Sequence, residues 1–166
     1  MMMPLGFHDL EVGQQWLSPG RTITEADVVH FAGLSGDFNP LHMDHEFARG
    51  GPFGRPIAHG LLGLAVSSGL ASHAPRVLTL AFLGILQWSF KSPIFFGDTL
   101  RVRSRVEALE PRARGRRGVV TWRRVLLNQR DQEVQEGLTQ TLVDGRMPDQ
   151  SVESDPATGE DSSTSP

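Results

Sequence analysis

Alternating polar and apolar residues mark the second half of the chain: Arg101, Arg103, Arg105 and Glu107 interleave with Val102, Ser104, Val106 and Ala108. A period of two sends successive side chains to opposite faces of a strand. Strands are predicted near Val77–Lys91, Asp98–Leu109, Arg117–Asn128 and Glu133–Asp144. The gaps Glu110–Arg116 and Gln129–Gln132 are short enough for hairpins, which predicts an antiparallel meander. Earlier in the chain, Leu10–Trp16 predicts a short first strand. Thr24 with Asp27 three residues on predicts a helix start; Val28, Val29, Phe31, Ala32 and Leu34 supply its apolar stripe, and Ser35-Gly36 its stop. Leu61–His73 is apolar or small on nearly every face and predicts a helix buried on most sides. One buried helix wrapped by a curved antiparallel sheet, an α+β domain, is the simplest assembly of these parts.

Length and charge refine this picture. The 166 residues suffice for one domain with a real core over 1–146 and are short for two. All 16 Lys and Arg precede Met147; setting aside Asp149, Glu153, Asp155, Glu160 and Asp161 leaves 14 acidic residues against those 16. The segment 147–166, rich in Ser, Pro, Gly, Asp and Thr, has almost nothing to bury and is expected to be a disordered acidic tail. The absence of cysteine excludes disulfides, thiolate metal sites and a cysteine nucleophile, and fits a reducing compartment. The first residues carry no signal-type apolar run, and the longest apolar stretch, Gly60–Ala71, falls short of the ~20 residues that span a bilayer. The expectation is a soluble cytoplasmic protein with no membrane partner.

The chemistry concentrates in Asp37-Phe38-Asn39-Pro40-Leu41-His42. Residues five apart on a helix point about 140° from each other, so a helix would share Asp37 and His42 poorly. Pro40 disfavours the α region at Asn39 and suits the first position of a new turn capped by Asn39, so the backbone bends between the two titratable groups. That bend can aim a carboxylate and an imidazole at one water, the minimal apparatus for moving protons near neutral pH. Taken singly, each residue has a plainer use: Asp37 in an Asx turn, Asn39 as a cap, and His42 bonded to nearby backbone.

Three ordered segments carry a family resemblance: Ser35–Asp44 (SGDFNPLHMD), Arg55–Leu62 (RPIAHGLL) and Pro93–Leu100 (PIFFGDTL). Together they resemble the MaoC-like dehydratases, including the (R)-specific enoyl-CoA hydratases, over about Asp9–Val143. The resemblance implies a hot-dog fold and a homodimer, or dimer of dimers, whose sheets join edge to edge with active sites at the interface. It implies activity on acyl-CoA: reversible addition of water to a trans-2-enoyl-CoA to give the (R)-3-hydroxyacyl-CoA, with no cofactor besides the coenzyme A of the substrate. On this pattern Asp37 and His42 fall on the catalytic pair and Asn39 on the residue bracing the loop. Gly60 falls on the backbone amide facing the thioester carbonyl. Ser68, or the adjacent Ser67, falls near a helix serine that bonds toward the aspartate.

Gly60 also has an independent argument. The helix entry Ala58-His59-Gly60 lacks a Ser, Thr, Asp or Asn cap, which leaves early N–H groups for a thioester oxygen that gains enolate charge. Glycine lets a ligand approach closely, and it is also an acceptable cap. His42, Asp44, His45 and His59 invite a metal reading, but a catalytic zinc needs three well-placed ligands, and the expectation is no metal. Arg112, Arg114, Arg116 and Arg117 crowd one predicted hairpin. A solvated turn is their usual fate; Arg112 and Arg116 are the candidates for meeting coenzyme A phosphates. No aromatic interleaving points to nucleic acid.

Two other functions compete. An acyl-CoA thioesterase of the same fold commonly uses a helix carboxylate, and Leu61–His73 has none. A non-catalytic acyl-thioester-binding or partner subunit would not need Asp37, Asn39 and His42 together. Met43, Phe47, Phe82, Leu83, Leu86 and Trp88 could shape an acyl tunnel or serve as core. Which of Asp37 and His42 starts as base, the acyl chain length, and coenzyme A against acyl carrier protein all stay open at this level.

Overall fold

Thr24 and Asp27 close a reciprocal cap, with Thr24 Oγ1 accepting from the Asp27 amide at 3.3 Å and Asp27 Oδ2 accepting from the Thr24 amide at 2.9 Å. The helix they open, α1 (Glu25–Ser35), ends at Gly36, whose φ of 77° is the left-handed conformation that costs glycine no Cβ clash. Two short helices follow. In α2 (Pro40–Met43), Asn39 Oδ1 accepts from the Leu41 amide at 2.9 Å; in α3 (His45–Arg49), Asp44 accepts from the Glu46 and Phe47 amides. The long apolar helix is α4 (Gly60–Ala71). The molecule is described here as a computed structural model covering residues 3–145, so the tail expected over 147–166 lies outside the described residues.

The strands are β1 (Gln15–Leu17), β2 (Arg21–Thr22), β3 (Thr79–Phe90), β4 (Thr99–Arg112), β5 (Arg117–Leu127) and β6 (Glu133–Asp144). They pair antiparallel in the order β1-β4-β5-β6-β3, with β2 also on β4. The expected meander is present, with β3 returning to the far edge beside β6. The first strand is shorter than expected from Leu10–Trp16. Residues 11–14 turn instead, with the Gln14 amide donating to the Glu11 carbonyl and Gly13 at φ 93°, and pairing starts only at Gln15.

Alternation in β4 sorts as its sequence predicts. Leu100, Val102, Ser104 and Val106 are buried, and Leu62, Val66 and Leu70 of α4 pack with Val102, Leu126 and Val134. A second cluster joins Phe7, Leu10, Val106, Val120, Trp122 and Val143. On the other face of the sheet Arg123 pairs with Glu107 and Glu136, and Arg103 with Glu133. The helix α4 departs from expectation: its buried residues follow one side, while Leu61 is 60% exposed and Ala65, Ser68 and Gly69 also reach the surface. One chain's sheet covers only one side of it. Among the described residues no helix is long and apolar enough to cross a membrane.

The Thr24 amide, ahead of the Arg21 charge, holds the Asp27 carboxyl below its ordinary range. A group depressed in this way stabilises the fold above its unfolded value of about 3.9 and loses that contribution as pH falls through its lower folded value. The Thr24→Ala variant is expected to lose about 1 kcal/mol in urea unfolding at pH 7. The stability gap between the wild type and Asp27→Asn should narrow as pH drops below about 4, measured by the same unfolding curves.

Candidate active site

The segment after α1 is braced by its own polar side chains. The Asp37 amide donates to Ser35 Oγ at 3.2 Å, and the Asn39 amide to Asp37 Oδ1 at 3.2 Å. The Asx-type use of Asp37 is therefore real, and it engages Oδ1. Two imidazoles then tie the loop to the entry of α4. His42 Nδ1 lies 2.7 Å from the Ile57 carbonyl, and His59 Nε2 lies 2.9 Å from the Asp37 carbonyl. Carbonyl oxygens only accept, so both nitrogens carry protons, and the neutral His42 ring keeps its lone pair on Nε2. The two rings stack with centroids 3.9 Å apart, and His59 is 2% exposed.

One carboxylate oxygen of Asp37 and one ring nitrogen each of His42 and His59 lie within 4.8 Å of one another. Two hydrogen bonds of about 2.8 Å meeting tetrahedrally at a water span roughly 4.6 Å, a length that falls inside this 4.8 Å bound. The same trio invites a metal. His59 Nε2, however, is committed as a donor to the Asp37 carbonyl, while its Nδ1 is buried with no hydrogen-bond partner among the described residues. The His42-x-Asp44-His45 grouping is dispersed: Asp44 caps α3 and His45 pairs with Glu25 at 2.9 Å.

Gly60 and His42 share one pocket of about 320 Å³ with Phe53, Ile57, Phe90 and Gln135. No side chain caps α4, as its entry sequence implies. A Cβ on Gly60 would stand 3.0 Å from the Phe90 ring, so the absence of a side chain keeps this corner open. Gln135, 1% exposed, fixes the first peptide unit of α4: its Nε2 donates to the Gly60 carbonyl at 2.9 Å while its Oε1 accepts from Trp88 Nε1 at 3.0 Å. Lys91 also lines the pocket, with its ammonium on Glu133 at 2.7 Å and on Glu136.

Other expected residues fall elsewhere. Ser68 makes no hydrogen bond with Asp37 within the chain. It lines a second cavity, of about 300 Å³, with Leu64, Ser67, Phe82, Trp88 and Arg124. Of the expected acyl-tunnel residues, Phe82 and Trp88 line that cavity, Met43 packs on the core, and Phe47 is exposed. Neither Arg112 nor Arg116 reaches the Gly60 pocket: Arg112 pairs with Glu110, and Arg116 packs at the hairpin tip beside Gly145. Arg117 stands opposite Asp144, nine residues along β6 from Gln135, or about 30 Å of strand. His59 entered the sequence reading only as a metal candidate, and Gln135 not at all. A histidine just before an uncapped helix start was the one signal for the former.

A family model described as the MaoC-like domain matches residues 9–126. The (R)-specific enoyl-CoA hydratase of Aeromonas caviae is 42% identical over 100 residues, 60% of this chain and 73% of that protein. The protein MaoC of Klebsiella aerogenes is 38% identical over 97 residues; the match covers 58% of this chain and only 29% of that longer protein. The crystal structure of a MaoC-like dehydratase from Rhodospirillum rubrum superposes with a TM-score of 0.77 at 32% identity, covering 87% of this chain and 99% of that one. A Mycobacterium tuberculosis protein with a double hotdog fold matches at TM-score 0.72 and 23% identity over 92% of this chain and 46% of its own, which speaks to the fold alone. The α+β architecture is thus the hot-dog fold, and with 118 consecutive residues matched the chain belongs to the MaoC-like dehydratase family.

Proposed function

We propose that the chain adds water reversibly to trans-2-enoyl-CoA thioesters to give (R)-3-hydroxyacyl-CoA. The observation carrying this reading is the Asp37 carboxylate within 4.8 Å of a His42 ring nitrogen, with His42 lining the pocket that holds the Gly60 helix entry. Relatives named for (R)-specific hydration and for 3-hydroxyacyl-thioester dehydration support the reaction class and the hand of the product. The second cavity carries no carboxylate on its lining, which disfavours a helix-carboxylate thioesterase.

In this mechanism Asp37 and His42 grip one water. One of them takes a proton as the water oxygen bonds to C3, and the double-bond electrons shift onto the thioester oxygen. The first N–H groups of α4 face that oxygen; one such donor is typically worth about 3 to 4 kcal/mol. A proton then passes from the pair to C2 on the same face, so the pair ends with the protons it began with. The bond from Nδ1 to the Ile57 carbonyl leaves His42 Nε2 able to accept as neutral imidazole and to give as imidazolium. Coenzyme A enters as part of the substrate, and the cysteine-free composition fits a reducing, cytoplasmic setting.

The reading also takes two copies of the chain. Among the described residues the outer edge of β3 has no partner strand in the sheet, and Leu80, Phe82, Leu83, Ile85, Leu86 and Phe90 on it are each at least 44% exposed. A long apolar edge of this kind is a template for a second strand. With Phe90 beside Gly60 and Phe82 on the second cavity, a second copy on this edge would border the whole site.

Asp37→Asn and His42→Gln are each expected to keep the wild-type circular dichroism and to lower crotonyl-CoA hydration by ~10²- to 10⁴-fold. Wild-type rates in both would overturn the assignment. Leu83→Lys combined with Leu86→Lys, at half-exposed positions, is expected to shift the light-scattering mass from dimer to monomer; an unchanged dimer mass would move the interface elsewhere.

A further inference from the structure

Arg124 is buried inside the protein without an acidic partner. It is 8% exposed, and among the described residues its guanidinium donates to Ser104 Oγ and pairs with no carboxylate. Charged side chains are almost never buried in this way unless paired, because desolvation penalises the ion. Burial alone pushes its pKa down to about 10, which leaves it fully charged at neutral pH. Its neighbours make room for it. Register sets Arg124 between Ser104 on β4 and Gly137 on β6, and its Cζ lies 4.4 Å from the Trp122 ring centre. Of the five N–H groups of a guanidinium, only the one on Ser104 has an acceptor among the described residues.

The cavity that Arg124 lines is the natural continuation of the proposed thioester pocket. On α4, Gly60 belongs to the pocket, and Leu64, Ser67, Ser68 and Ala71 to the cavity; on β6, Gln135 belongs to the pocket and Thr139 and Thr141 to the cavity. Trp88 walls the cavity and is bonded to Gln135, so the two spaces adjoin at that contact. Eight residues of helix separate Gly60 from Ser68, about 12 Å at 1.5 Å each. The cavity surface is mainly apolar, through Leu64, Ala71, Val77, Phe82 and Trp88 with six serines and threonines beside them, and Arg124 is the one charged group among its described lining residues. Its volume of about 300 Å³ sits at the lower end of the range for ligand pockets.

We infer that this cavity takes an acyl chain ending in a carboxylate, which Arg124 receives through its unpartnered N–H groups, so that the substrates include thioesters of dicarboxylic acids. This rests on the hydratase reading for the direction in which the chain enters. An apolar chain fills the space below Trp88, and a planar, bidentate donor meets a planar, bidentate acceptor at its end. A purely hydrocarbon tail would leave the guanidinium dry and unpaired, which is the costlier arrangement.

Titration calorimetry of the full chain with octanedioyl-CoA and with octanoyl-CoA, saturated thioesters that cannot be hydrated, tests this directly. The wild type is expected to bind the dicarboxylyl thioester at least about tenfold more tightly, as a charge-assisted pair allows. Arg124→Met should erase that preference, and Arg124→Lys, which keeps the charge without the fork, should retain part of it. The ratio of kcat/KM for trans-2-octenedioyl-CoA over trans-2-octenoyl-CoA should move in the same direction. Equal or tighter binding of octanoyl-CoA by the wild type overturns the inference, and this outcome is readable even if no variant folds. A folded Arg124→Met that keeps the preference overturns it as well. Crotonyl-CoA, too short to reach Arg124, reports on the reaction separately: if it is not hydrated the hydratase reading fails, while the binding ratio still decides the role of Arg124.

Discussion

Two imidazole N–H groups bonded to two backbone carbonyls hold the site together. His42 donates to Ile57 and His59 donates to Asp37, so the kinked segment after α1 and the entry of α4 are each anchored by a ring from the other. Each bond also fixes a tautomer, and in the neutral form of His42 that choice leaves the lone pair on Nε2. The rings stack at 3.9 Å, so moving one moves the other. The orientation of both rings follows from satisfying buried polar groups, since a histidine buried as deeply as His59 must place at least one of its nitrogens.

Small residues of the helix and the sheet serve the site as much as large ones. Gly60 leaves room for Phe90, and Gly137 lies so close to Trp88 that a Cβ there would stand 2.3 Å from the indole. Between these glycines run the aromatic wall of β3 and the inner face of β6. Ion pairs such as Arg123 with Glu107 and Glu136 occupy the opposite face, where their solvent exposure limits what they add to stability.

Local chemistry made most of the fold legible. Thr24, Asp27 and Gly36 delimit α1 by caps that depend only on neighbouring residues; strict alternation located β4, and the short gap after it located its hairpin partner. The bend at Pro40 correctly brought Asp37 and His42 together. Contacts between distant parts of the chain were not legible: His59 reaches Asp37 across 22 residues and Gln135 reaches Gly60 across 75. The strand β5 is buried at nearly every position, so periodicity could not assign Arg124 to the inner face and Arg123 to the outer one. Counting arginines located a charged hairpin, Arg112 to Arg117, but only the strand register shows it at the opposite end of β6 from the pocket.

Gln135 stands where two obligate roles meet, because an indole N–H can only give a proton and a peptide oxygen can only receive one. The Gln135 amide satisfies both with one end each, and the orientation of its oxygen and nitrogen is dictated rather than chosen. A glutamate of the same shape would answer Trp88 yet set oxygen against oxygen at the head of α4, with a buried negative charge besides. That coordinate of the strand therefore calls for a group with a donor at one end and an acceptor at the other.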